Sequence, residues 1–123
     1  MKKPSGFTLI ELLVVMSIVT LLLTLALPRY FNRLEQSEET GLKHDLSAMR
    51  EAIDQYHADR GVYPDSLQTL VQMRYLKAVP PDPITTLNTT WILLPPQDGS
   101  AGIGDIKSGA PGQAKDGTRY RDW

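Results

Sequence analysis

The sequence predicts an α+β fold: one long N-terminal helix, apolar in its first half and amphipathic in its second, packed on a small antiparallel sheet. Three observations predict it. Of 123 residues, 51 are apolar, and 16 of these fall within residues 7–27. Further on, Leu42, Leu46, Met49, Ile53 and Tyr56 recur at steps of 4, 3, 4 and 3, a narrow apolar stripe on one helix face. Beyond residue 88 the pattern changes to a β-branched run, TTWILL, followed by a stretch with nine Gly or Pro among 29 residues.

Composition sets the limits. Outside residues 7–27 only 35 of 102 residues are apolar, which supports one small domain and no deep cleft. With 13 basic and 14 acidic side chains the formal charge is -1, so no electrostatic footprint for nucleic acid exists. The absence of cysteine removes disulfides, thiolate metal sites and thiol catalysis together. No phosphate-binding glycine loop, His-Glu-x-x-His pair or Gly-x-Ser-x-Gly elbow occurs. His44 and His57 are 13 residues apart on one helix and point in different directions, so they read as solvated rather than as a shared metal site.

Residues 7–27 are long enough to span the ~30 Å hydrocarbon core of a bilayer as a helix. Lys2 and Lys3 precede the segment, Arg29 and Arg33 follow it, and the polar mass lies C-terminal. The short leader is therefore expected to stay cytoplasmic while the remainder is exported. A cleavable signal peptide would need a small-residue site after the apolar run, and Thr24-Leu25-Ala26 before Leu27-Pro28 matches poorly. An uncleaved anchor fits the length better. Neither accounts for Ser5-Gly6 before the run or for Glu11 within it, where a carboxylate costs on the order of 3 kcal/mol. Cleavage after Gly6 would leave an α-amino group on Phe7 one helical turn from Glu11. A neighbouring subunit displaced along the axis could then present its amine to this carboxylate and set the register of an assembly.

Pro28 is expected to end or bend the membrane helix, because it lacks an N–H and clashes with the preceding turn. Tyr30 and Phe31 are placed at the membrane interface. Residues 29–60 carry five basic and seven acidic side chains around the apolar stripe, which Leu34 extends by eight residues. Gly41 is a weak point, since glycine costs about 1 kcal/mol in a helix interior, and Gly61 supplies the stop. A helix continuous from residue 7 to about 59 would be roughly 80 Å long and would need lipid or copies of itself along its first half. Glu35, Glu38 and Glu39 read as a solvated face, or as partners for Arg29 or Arg33 of neighbouring subunits at ~1 kcal/mol or less per pair. After a turn at Val62-Tyr63-Pro64-Asp65, Asp65 or Ser66 caps a short helix carrying Leu67, Leu70, Val71 and Met73. Pro80-Pro81-Asp82-Pro83 must be extended and non-helical. Strands are expected at 89–94, 103–107 and 118–120, the last behind a tight Asp116-Gly117 hairpin.

The run Lys2-Lys3-Pro4-Ser5-Gly6-Phe7-Thr8-Leu9-Ile10-Glu11 resembles the leader and cleavage motif of the type IV pilin and pseudopilin superfamily, with Pro28 at the position of that family's first helix-kinking proline. The resemblance implies cleavage between Gly6 and Phe7 by a prepilin peptidase, N-methylation of Phe7, and assembly through Glu11 and the 7–28 helix. More loosely, Gly61-Val62-Tyr63-Pro64, Leu67, Leu70, Tyr75-Leu76, Asp82-Pro83, the run Asp105-Ile106-Lys107-Ser108-Gly109-Ala110 and Trp123 look like the major (G-type) pseudopilin of type II secretion. The lack of a cysteine pair favours that machine over a type IV pilus used for adhesion, motility or DNA uptake. A signal-anchored periplasmic binding domain or enzyme is the reading outside the superfamily.

On the first reading the chain divides into a leader (1–6), a transmembrane and filament-core helix (7–28), an amphipathic periplasmic helix (29–61) and a small globular region (62–123). Processing would leave 117 residues with 11 basic and 14 acidic side chains, a balance of -3. The implied partners are a homo-oligomeric filament, minor pseudopilins, the prepilin peptidase, inner-membrane lipid, and an assembly platform with its ATPase. The role is structural, with no catalysis and no required cofactor. Two departures stand out. Ile84-Thr85 follows Asp82-Pro83 where the family usually has tryptophan and glycine. The family binds calcium through an aspartate after a Gly-Ala pair, whereas Pro111 follows Gly109-Ala110 here. Asp105, Asp116 and Asp122 are the candidates for a shifted calcium site, against a reading as turn formers and solvated charges.

Overall fold

The computed structural model describes residues 4–123. In chain order it contains α1 (Leu9–Arg60), α2 (Leu67–Gln72), β1 (Ile92–Leu94), β2 (Asp105–Lys107) and a closing 3₁₀ turn, Tyr120–Asp122. Contacts divide the chain into two units, Met1–Glu35 and Gln36–Trp123, each described by itself.

In the first unit α1 is bare. Its large apolar side chains from Leu9 to Leu27 are all exposed. Its hydroxyls need no outside partner: Ser17, Thr20 and Thr24 donate to the carbonyls of Leu13, Met16 and Thr20, one turn back. A helix whose polar groups are satisfied internally can sit in hydrocarbon. Pro28 lies inside α1 and does not end it. One proline removes a single i→i−4 bond, and the ladder resumes on both sides. Tyr30 and Phe31 stand edge to face at 5.7 Å, both exposed. Leu34 is exposed as well, so it does not extend the apolar stripe.

The second unit is built on that stripe. Leu42, Leu46, Met49, Ile53 and Tyr56 are all buried, with Ala52 beside them. They form one core with Leu67, Leu70, Trp91, Ile103, Ile106, Ala110, Ala114 and Tyr120. Each large side chain so covered contributes roughly 2 kcal/mol. Gly41 is less a weak point than a contact site, because a side-chain carbon there would reach the Pro83 ring at 3.4 Å. The stop at Gly61 is a left-handed residue, φ +72°, whose N–H donates to the His57 carbonyl. At α2 the cap is Ser66, whose Oγ accepts the Thr69 N–H at 3.2 Å, while Asp65 accepts the Thr69 hydroxyl.

The sheet has two antiparallel strands, with Ile92, Leu93 and Leu94 opposite Lys107, Ile106 and Asp105. The α+β class stands, but the strands are shorter than the sequence predicts. Residues 89–91 lie outside β1: the Thr90 hydroxyl pairs with that of Thr85 at 2.8 Å, and the Trp91 indole donates to the Pro80 carbonyl. Residues 103 and 104 lie outside β2. The strand expected at 118–120 is a single bridge between Gln113 and Arg119, after which the chain turns into the 3₁₀ segment. Its tight turn is present, with Gly117 at φ +87° donating to the Ala114 carbonyl.

Just after β2 the backbone of Gly109 lies against the Thr90 carbonyl, and a methyl group there would land on that oxygen. Neither side of the contact is a flexible side-chain end. Gly109→Ala is therefore expected to destabilise this unit by about 1–3 kcal/mol, read by chemical denaturation with tryptophan fluorescence.

Candidate assembly and processing site

The residues around the expected processing point are open. Gly6 precedes α1, a side-chain carbon added to it would meet nothing within 4 Å, and Phe7 is 88% exposed. Lys2 and Lys3 lie outside the described residues. Thr8 starts the helix: its Oγ1 accepts the Glu11 N–H at 3.2 Å. Thr8-x-x-Glu11 is thus a capping sequence, and Glu11 sits in the first turn, where the helix dipole favours a negative charge. Hydropathy alone presents Glu11 as a charge awaiting a partner; the threonine three residues earlier is the signal for this second, local role. The two roles are compatible. A cap uses hydrogen bonds at the helix start, whereas the expected charge pairing would use the carboxylate and the amine that cleavage before Phe7 would create.

The other acidic candidates are distributed differently from the sequence expectation. Asp105 accepts from Arg50 Nε at 2.8 Å and from the Ile106 N–H at 2.7 Å. Asp116 accepts from the Thr118 hydroxyl and N–H at 2.6 and 3.0 Å, forming a turn. Asp122 pairs with Arg119 at 3.2 Å. Each carboxylate has its own protein partner, and among the described residues no three acidic, histidine or cysteine side chains are grouped to hold a metal ion. Asp105, Asp116 and Asp122 are thus not grouped into one site. Glu39 is not simply solvated either, since it accepts from the Lys115 N–H and the Tyr120 hydroxyl within its own chain. His44 is exposed beside Asp45, whereas His57 is half-buried and stacks on Tyr63 with ring centroids 3.9 Å apart.

The Thr118 hydroxyl, followed by its N–H, holds the Asp116 carboxyl below its ordinary value of 3.8. A lowered folded value means that the turn's stabilisation is complete above about pH 4 and is lost as pH falls through the folded value. The Thr118 amide resonance, followed by NMR, should report that loss only below the ordinary carboxylate range.

A family model described as the prokaryotic N-terminal methylation motif matches residues 1–27. The type II secretion system core protein G of Pseudomonas aeruginosa is 34% identical over 67% of this chain and 69% of its own. The core protein G of Klebsiella michiganensis is 31% identical over 88% of this chain and 75% of its own. This chain belongs to the type II secretion system core protein G family. Fimbrial protein EcpC of Eikenella corrodens is 36% identical, but over only 48% of this chain and 39% of its own. No solved structure matches the chain. The membership places the bare apolar helix, the Thr8–Glu11 start and the small α+β unit in one type IV pilin-like subunit.

Proposed function

We infer that this core protein G family member is a structural pseudopilin of a type II secretion system, assembling through its N-terminal helix into a pseudopilus that drives export of folded proteins. The observation that carries this reading is the exposed apolar surface of α1 between Leu9 and Leu27, which the chain itself leaves uncovered. One helix among the described residues is long and apolar enough to cross a membrane, and it is this one. Before assembly lipid covers that surface; afterwards the same segments of neighbouring subunits do. Head-to-tail packing of identical subunits gives an open filament rather than a ring.

In this reading prepilin peptidase cuts between Gly6 and Phe7 and methylates Phe7, and the unit Gln36–Trp123 faces the periplasm. An inner-membrane platform with its ATPase supplies the energy, and minor pseudopilins complete the filament. Deleting the gene in its native host should abolish secretion of folded exoproteins and leave twitching motility intact. Loss of twitching with normal secretion would instead assign the chain to a type IV pilus.

A further inference from the structure

We propose that Arg50 is the resident cation that fastens the segment from β2 to Trp123 onto α1, so that this segment folds without calcium. One guanidinium holds three oxygens. Its Nε donates to Asp105 Oδ1 at 2.8 Å, and Nη2 donates to the main-chain oxygens of Ile106 at 2.8 Å and Trp123 at 2.9 Å. A carboxylate and main-chain oxygens are the donor types a calcium ion would collect from a loop. Here they surround a fixed positive charge whose planar fork matches their directions.

Neighbouring groups on α1 extend the fastening. Lys43 Nζ lies 4.7 Å from the centre of the Trp123 ring, and Glu39 accepts from the Lys115 N–H at 3.0 Å and the Tyr120 hydroxyl at 3.3 Å. Positions 39, 43 and 50 fall at helical spacing, so one face of α1 presents an anion and two cations to the segment. Trp123 is held in turn by its indole N–H to Thr118 Oγ1 at 2.7 Å and by edge-to-face packing on Tyr120. Asp116 and Asp122 are occupied by Thr118 and Arg119. Each of the three aspartates thus already has a protein donor of its own, and Pro111 offers no side-chain oxygen.

The test uses the full chain in detergent micelles, with hydrogen exchange and limited proteolysis read across residues 105–123. Millimolar calcium and EGTA should give rates within about twofold of one another. Arg50→Gln should raise them about tenfold or more, with no rescue by calcium. Arg50→Lys should fail to restore protection, because a point charge cannot serve three separated oxygens. Lys43→Met, which removes the cation over Trp123 but keeps the stem, should give a smaller rise. Protection of the unaltered chain by calcium of tenfold or more would overturn the proposal, as would Arg50→Gln with unchanged rates. If Arg50→Gln does not fold, Arg50→Lys reads the fastening, with rates like the parent's overturning it, and the calcium and EGTA comparison on the unaltered chain reads calcium independence.

Discussion

Asp82→Ala is expected to destabilise the unit Gln36–Trp123 by about 3–5 kcal/mol, enough to unfold much of a marginal domain. Asp82 is fully buried, as is Ser108. Its Oδ2 accepts the Ser108 hydroxyl at 2.6 Å, and its Oδ1 accepts the Ile84 N–H at 2.8 Å. Its own backbone pairs with Leu87 and Thr86, so the whole loop is wound around this residue. Alanine leaves the buried Ser108 O–H without an acceptor, although its oxygen still accepts the Ala110 N–H, and leaves the half-buried Ile84 N–H without its carboxylate; each costs about 1–3 kcal/mol, and a cavity opens besides. Asparagine keeps an acceptor for Ile84, and the Ser108 hydroxyl can rotate to accept from the new amide. The loss for Asp82→Asn should therefore be nearer 1 kcal/mol. Denaturant unfolding followed by tryptophan fluorescence measures both. An alanine variant within about 0.5 kcal/mol of the parent would show that the network does not hold the loop.

Glu11→Gln should insert normally in the membrane yet lose filament assembly and secretion by on the order of tenfold or more. The choice of glutamine separates two roles. Glutamine serves as well as glutamate at the third position of a capping sequence, and the Thr8 bond to the residue 11 N–H needs no side chain at all. If Glu11 only starts the helix, Glu11→Gln secretes like the parent and Glu11→Ala is only mildly impaired. If the carboxylate pairs with the amine of a neighbouring Phe7, both variants fail alike, because each removes the charge. Normal secretion by Glu11→Gln would refute charge pairing and leave the cap as the explanation.

What is legible in the sequence is local. The stripe at steps of 4, 3, 4 and 3 is the buried face of α1, Gly61 is its stop, and Ser66 caps α2, because each depends on neighbours within a turn or two. The groups that sequence reasoning misses act across long separations. Asp82 meets Ser108 26 residues away, Arg50 reaches Asp105 55 residues away, and Glu39 meets Tyr120 81 residues away. Periodicity says only that such a residue is polar, so Glu39 reads as solvated and Arg50 carries no signal at all. Strand lengths differ for a related reason. The composition of residues 89–94 favours a strand, but the ladder extends only as far as β2 pairs, and Thr90 is drawn instead into hydroxyl contacts with Thr85. Pro28 does not terminate α1 because its local penalty is smaller than the stability of the helix on either side.

Mass spectrometry of the intact protein and its N-terminal peptide, taken from the native membrane, tests assembly through the 7–28 helix at its root. The expected result is a chain beginning at Phe7 with one extra methyl group on its amine. That terminus would place a charged group one helical turn from Glu11, as charge pairing between neighbouring subunits requires. A chain retaining Met1, or one cut near Ala26, would contradict it: Glu11 would then have no processed neighbour to pair with, and the apolar helix would be an anchor or a discarded signal.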